Sequence, residues 1–85
     1  MKITVRLSEP FWRTAGCRET TVGLAPGQTV AQAVEALLKR YPALAAEFHN
    51  GEVKPWLFVN DLETDPDMML TDGAILHVVW PISGG

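Results

Sequence analysis

One cysteine, two histidines and no long apolar run set the first boundaries on this 85-residue chain. With a single thiol, Cys17, the chain can form no internal disulfide and hold no iron–sulfur cluster by itself. The longest apolar run near the end, residues 78–82, is far too short to span a bilayer. The N-terminal MKITVRLSEP alternates polar with apolar residues and lacks the continuous apolar core of a secretory signal. A cytoplasmic protein with no membrane association is expected. Basic residues are scarce in the second half: residues 43–85 hold one Lys against seven Asp/Glu, whereas residues 1–42 hold six Lys/Arg against three Glu. The acidic half repels phosphate backbones, so nucleic acid is not an expected partner. That half suits a solvated face or a basic protein surface.

The residue types that build catalytic constellations are also sparse. His49 and His77 have no second ligand at metal spacing, and no metal site is expected. Cys17 has Arg13 and Arg18 nearby in sequence but no base beside it, and reads as an ordinary loop cysteine. Ala25-Pro26-Gly27-Gln28 is a turn, not a glycine-rich phosphate loop, because Pro26 removes an amide donor. Asp61, Glu63, Asp65 and Asp67 alternate as calcium ligands do. The sixth position of that stretch lacks Gly and the twelfth lacks Glu, so no calcium loop is expected. A chain this short has no room for a second domain or a large active-site cavity. It is expected to form one domain over residues 1–85 and to be no catalyst on its own.

What is present is a clear set of elements. In KITVRL, residues 2–7, Ile3, Val5 and Leu7 share one face and Lys2, Thr4 and Arg6 the other, which predicts a half-buried strand. Ser8 to Cys17 contains Pro10 and Gly16 and reads as a loop or long turn. RETTVGL, residues 18–24, predicts a second strand, ended by Pro26 and Gly27. Thr29 and Gln32 fit a capping box, followed by Val30, Ala33, Val34, Leu37, Leu38 and Tyr41 on one helical stripe. Pro42 stops that helix, and Ala43 to Phe48 add a short helical turn. His49-Asn50-Gly51 and Asn60-Asp61 read as turns. WLFVN, residues 56–60, predicts a third strand, and ILHVVW, residues 75–80, the last. Between them Pro66 to Asp72, with Met68, Met69 and Leu70, predicts a short helical or irregular plug.

The order is strand, strand, helix, strand, short piece, strand. A single helix covering one face of a mixed sheet satisfies the layer rule for so small a chain. The expected class is α+β: a β-grasp, ubiquitin-like mixed sheet of four to five strands on one main helix. After the last strand come Trp80, Pro81, Ile82, Ser83, Gly84 and Gly85. Glycine has no Cβ, so a Gly-Gly end can thread a channel closed to any side chain. Extended, residues 82–85 reach about 13–14 Å. An unhindered Gly85 carboxylate could be activated on ATP by a partner as an acyl-adenylate, from which a sulfur donor displaces AMP.

Four segments resemble the MoaD/ThiS family of sulfur-carrier proteins, the MoaD branch most: TAGCRE, GQTVAQAVEALLKRYPAL, LFVND and the terminal TDGAILHVVWPISGG. The likeness spans nearly the whole chain, and its last segment is the most specific. It implies a β-grasp fold whose terminal glycine is adenylated by a MoeB/ThiF-like, ATP-using enzyme and then converted to a thiocarboxylate. In MoaD proper the tail enters the large subunit of molybdopterin synthase, a MoaE-like partner, and supplies sulfur for the molybdenum cofactor. Carried onto this chain, Gly85 is the thiocarboxylate site. Gly84, with Ser83 and Ile82, forms the slender tail. Phe58, Ile75, His77 and Val79 form a partner-binding patch on the outer sheet face, and Trp80 and Pro81, at the tail base, are partner-binding as well. No cofactor is implied on the chain itself. Where MoaD tails often read Pro-Pro, this chain has Trp80-Pro81. The approach from Glu52 to Trp56 also resembles carriers of the CysO type, which serve cysteine synthesis. Sulfur delivery to cysteine, thiamine or tRNA, and conjugation to proteins through Gly85, are the alternatives the resemblance leaves open.

Overall fold

The alternation in KITVRL becomes the inner strand of the sheet in a computed structural model that describes residues 1–49 and 55–80. Strand β1, Lys2–Leu7, buries Ile3, Val5 and Leu7 on one face and leaves Lys2, Thr4 and Arg6 on the other. It pairs antiparallel with β2, Glu19–Gly23, in the register Ile3 opposite Val22 and Arg6 opposite Glu19. It pairs parallel with β5, Ile75–Val79. Strand β3, Trp56–Val59, lies antiparallel to β5, and the two-residue β4, Leu62–Glu63, closes the far edge. The order across the five-stranded sheet is β2-β1-β5-β3-β4, the mixed sheet that the element order predicts.

The main helix α2, Val30–Arg40, begins at the expected capping box: the Gln32 amide donates to the Thr29 hydroxyl, and the Thr29 amide donates back to Gln32 Oε1. Val30, Ala33 and Leu37 are fully buried, while Val34, Leu38 and Tyr41 pack partly against the core. These side chains meet Ile3, Val5, Leu76 and Val78 in one core cluster. The helix therefore covers the inner face of the sheet, and the other face carries Lys2, Thr4, Arg6, Ile75, His77 and Val79.

One local reading changes and two are filled in. The loop expected over Ser8 to Cys17 contains a short helix, α1, Phe11–Ala15, closed by Gly16 in the left-handed conformation at φ 82°. Five residues are too few for a helical period to stand out, and burial of Phe11 supplies what propensity does not. The short helical turn expected over Ala43 to Phe48 extends to an eight-residue helix, α3, Pro42–His49. Pro42 ends α2 and opens α3, because a first-turn residue has no amide to lose. Leu44 and Phe48 anchor α3 in the core. Between Pro66 and Asp72 the expected plug takes its irregular form. Leu70 is the buried plug, and Met68 and Met69 stay exposed. Their backbone meets the start of α2, where the Val30 and Ala31 amides donate to the carbonyls of Met68 and Pro66.

The turn at Asn60-Asp61 stands as expected, and a further turn lies at Asp72-Gly73. Asn60 and Asp61 both adopt positive φ, 48° and 72°, in the tight connection between β3 and β4. The turn expected at His49-Asn50-Gly51 falls outside the described residues from Asn50 onward. Among the described residues no helix is long and apolar enough to cross a membrane.

Candidate functional site

Cross-strand register decides which side chains become neighbours, and on the outer face it aligns one row across the sheet. Arg6 stands opposite Glu19 on β2 and His77 on β5; His77 stands opposite Phe58 on β3; Phe58 stands opposite Glu63 on β4. The row reads Glu19, Arg6, His77, Phe58, Glu63. Its acidic ends flank a cationic and aromatic centre. Arg6 is held by Glu19 at 3.0 Å, an exposed pair that fixes the guanidinium more than it stabilises the fold.

Beside this row lie the remaining apolar members of the face. Thr4 faces Ile75, and Trp56 faces Val79. Trp56 is 50% exposed and meets the Phe58 ring edge-on, with centroids 6.4 Å apart. The structure thus brings together Phe58, Ile75, His77 and Val79, the four expected patch residues, on one outward face. It adds Trp56 and Arg6. Sequence alternation already placed Trp56 on the Phe58 side. Arg6 could not be assigned without knowing that β1 is the parallel partner of β5.

Trp80 is placed differently from those four. It follows β5 with the parity of Leu76 and Val78 and turns toward the inner side, where its ring lies 5.7 Å from that of Phe11. Phe11 is fully buried and also meets Phe48 edge-on at 5.3 Å. Trp80 is thus a half-buried packing residue, separated by the sheet from the outer patch. Ser8 holds the same point from the backbone. Its amide donates to the Val78 carbonyl at 3.1 Å, and its hydroxyl accepts from the Trp80 amide at 3.0 Å. The chain is therefore fixed on both sides just before Pro81. Pro81, Ile82, Ser83, Gly84 and Gly85 lie outside the described residues.

The groups that sequence reading set aside stay apart. Cys17 is half-buried with its sulfur 3.6 Å from the Tyr41 hydroxyl, which also bonds Thr20 at 3.0 Å. Among the described residues no group of three His, Cys, Asp or Glu side chains could hold a metal ion. An open depression of about 270 Å³, lined by Gly23, Leu24, Gln28, Gln32, Glu35, Ala36 and Lys39, lies between α2 and the end of β2. It gathers no nucleophile and base. It also sits at the Lys2 end of β1, away from Ser8 and Trp80.

No family model matches the chain, and no curated protein does. Solved structures do. SAMP1 of Haloferax volcanii, a small archaeal modifier protein, is 25% identical and superposes with a TM-score of 0.89, covering 100% of both chains. CysO in the BexX/CysO complex of Amycolatopsis orientalis is 19% identical at a TM-score of 0.77, covering 98% of this chain and 99% of that one. The complex of subunits 1 and 2 of the molybdopterin-converting factor from Helicobacter pylori holds a chain 20% identical at a TM-score of 0.68, covering 100% of both. The chain is a ubiquitin-like β-grasp protein, and it resembles proteins of the MoaD/ThiS type in fold as it does in motif.

Proposed function

We propose that this protein is a sulfur carrier, thiocarboxylated at Gly85, and that it acts in molybdopterin synthesis as the small subunit of a two-protein synthase. The observation that carries the reading is the root of the tail. The strand that leads into the Gly-Gly end lies at the centre of the sheet, and Ser8 and Phe11 fix the chain where it leaves. A tail that must deliver one atom into another protein needs such a rigid base, because every loosely held residue adds entropy to be lost on insertion.

The chemistry asks little of this chain beyond that atom. The Gly85 carboxylate attacks the α-phosphorus of ATP in a MoeB/ThiF-like partner. Pyrophosphate leaves, and an acyl-adenylate forms. A sulfide-level donor then attacks the carbonyl carbon, AMP departs with the bonding pair, and a thiocarboxylate remains. ATP is the partner's substrate, and the catalytic groups are the partner's. Gly84 keeps the approach to the carbonyl narrow. The outer face, with Phe58, Ile75, His77, Val79 and Trp56, supplies the protein contact. It is an apolar patch with polar flanks, the composition of a docking surface. A MoaE-like large subunit would cover it while the tail occupies that subunit's reaction centre. The Helicobacter pylori complex of subunits 1 and 2 supports a partner of this kind.

A second reading draws on the similarity to SAMP1. The same adenylate can pass to a lysine amine, which joins Gly85 to a target protein through an amide. The two differ only in the nucleophile. A CysO-type role in another sulfur pathway differs only in the acceptor. Incubation with a MoeB-like enzyme, ATP and a sulfide source, followed by intact-mass spectrometry, tests the carrier reading. The expected product is heavier by the difference between sulfur and oxygen, and its absence across several such enzymes overturns the reading. Higher-mass conjugates on a blot of the cell of origin would favour the modifier instead. Synthesis of molybdopterin from its precursor by the thiocarboxylated chain with a large subunit tests the pathway.

A further inference from the structure

We infer that the rim around the tail root is a docking site for carboxylates, with Arg18 its main contact, and that the enzyme which adenylates Gly85 presents an acidic lip there. The inference rests on the carrier reading above. Five residues follow Trp80, and fully extended they span about 17 Å. Any protein that holds the Gly85 carboxylate in its reaction centre must therefore bring its surface down around Trp80. Whatever chemistry the rim carries is covered in that complex and must be matched by the partner.

The rim has two sides. On the outer side stand Val79 and Trp56, which belong to the apolar patch. On the other side stands α1. Phe11 touches Trp80, and the next residue, Trp12, carries two guanidinium groups: the Arg18 carbon lies 4.6 Å from its ring centroid and the Arg13 carbon 5.3 Å. The Arg18 carbonyl accepts from the Leu7 amide at 2.8 Å, which registers Arg18 one residue from Ser8, the anchor of the root. The two arginines differ in what they have left to offer. Arg13 is already paired with Glu9 at 3.0 Å. Arg18 is exposed and has no carboxylate partner among the described residues. Its stacking on Trp12 holds the guanidinium plane in place while its edge donors stay available for a bidentate carboxylate. The acidic second half of the chain argues against a nucleic acid as the anion, since it would be repelled alongside. A protein carboxylate is local enough to meet the rim alone.

The test is the pyrophosphate-exchange rate of a MoeB-like enzyme at varied concentrations of the full chain, at low and high salt. Wild type should show a KM that rises with salt, because exposed charge pairs steer association and are screened. Arg18→Glu should raise KM about tenfold at low salt, leave kcat within about twofold, and lose most of the salt dependence. Arg18→Lys should recover part of the loss, keeping the charge but not the stacked plane. Lys39→Glu makes the same change in net charge far from the rim, and its KM should match wild type. Circular dichroism should show all four chains equally folded. If wild type is adenylated and Arg18→Glu matches it in KM and salt response, or if Lys39→Glu raises KM equally, the acidic lip is wrong and the carrier reading stands. If no enzyme adenylates wild type, both fall.

Discussion

The Ser8 hydroxyl accepts a hydrogen bond from the Trp80 amide at 3.0 Å, joining residues 72 positions apart at the point where the chain leaves the sheet. The contact holds the chain next to Pro81, so its loss should separate tail placement from fold. Ser8→Ala removes the acceptor and should cost about 1 kcal/mol in urea unfolding. Trp80→Ala also strips the ring from Phe11 and should cost more, about 2–3 kcal/mol for a half-buried aromatic. Both variants should still be adenylated, with Trp80→Ala the slower at sub-saturating concentration. Equal stability of Ser8→Ala and wild type would show that the bond is not a structural anchor.

Changes on the outer face should behave oppositely. Phe58 is half-buried on the sheet surface and Trp56 half-exposed, so neither fills the core. Phe58→Ala should lower unfolding stability by no more than about 1.5 kcal/mol, yet weaken binding to a large subunit by a hot-spot amount, about 2 kcal/mol or more. Isothermal titration against denaturant unfolding of the same protein reads the two effects separately. A large stability loss with unchanged binding would place Phe58 in the scaffold, not in an interface.

At the chain terminus the expected outcome is chemical. Gly85→Ala adds one methyl beside the reacting carboxylate. It should leave thermal unfolding unchanged while slowing adenylation at least tenfold, if the partner's channel fits a bare backbone. Mass spectrometry of the product and a melting curve check the two halves. Normal adenylation of this variant would remove the steric argument for the Gly-Gly end.

A fourth outcome concerns the scaffold alone. Asp61 holds a φ of 72° beside Asn60 at 48° in the β3–β4 connection. Such a two-residue turn favours Asn-Gly, since both positions need positive φ. Asp61→Gly should therefore raise stability by about 0.5 kcal/mol, the relief of left-handed strain less the added freedom of the unfolded glycine. A fall in the denaturation midpoint would mean the Asp61 side chain does more for the turn than its backbone costs.

The main strands and the main helix were legible because their signal is local and repeated. Alternation in Lys2–Leu7 and Ile75–Val79, and the capped stripe from Val30, are periodic patterns that burial enforces at every second or every third to fourth residue. Helix α1 was not legible, because its reason is Phe11 meeting Phe48 and Trp80, which come from other parts of the chain. The length of α3 was hidden for the same reason: a stop signal for one helix is a permitted start for the next, and burial of Leu44 and Phe48 extends the second. In the candidate site, parity alone grouped Ile75, His77 and Val79 on one face and put Trp56 with Phe58. It could not show that Trp80 turns inward to Phe11.

The order of the main strands and the main helix, and the composition of each sheet face, follow from the sequence, since hydrophobic periodicity is written residue by residue. Register across the sheet was decided only in three dimensions. Parallel pairing of β1 with β5 set Arg6 beside His77 and Ser8 beside Trp80. Those neighbours arise from backbone hydrogen bonds between strands about 70 residues apart, and no local pattern carries information over such a separation.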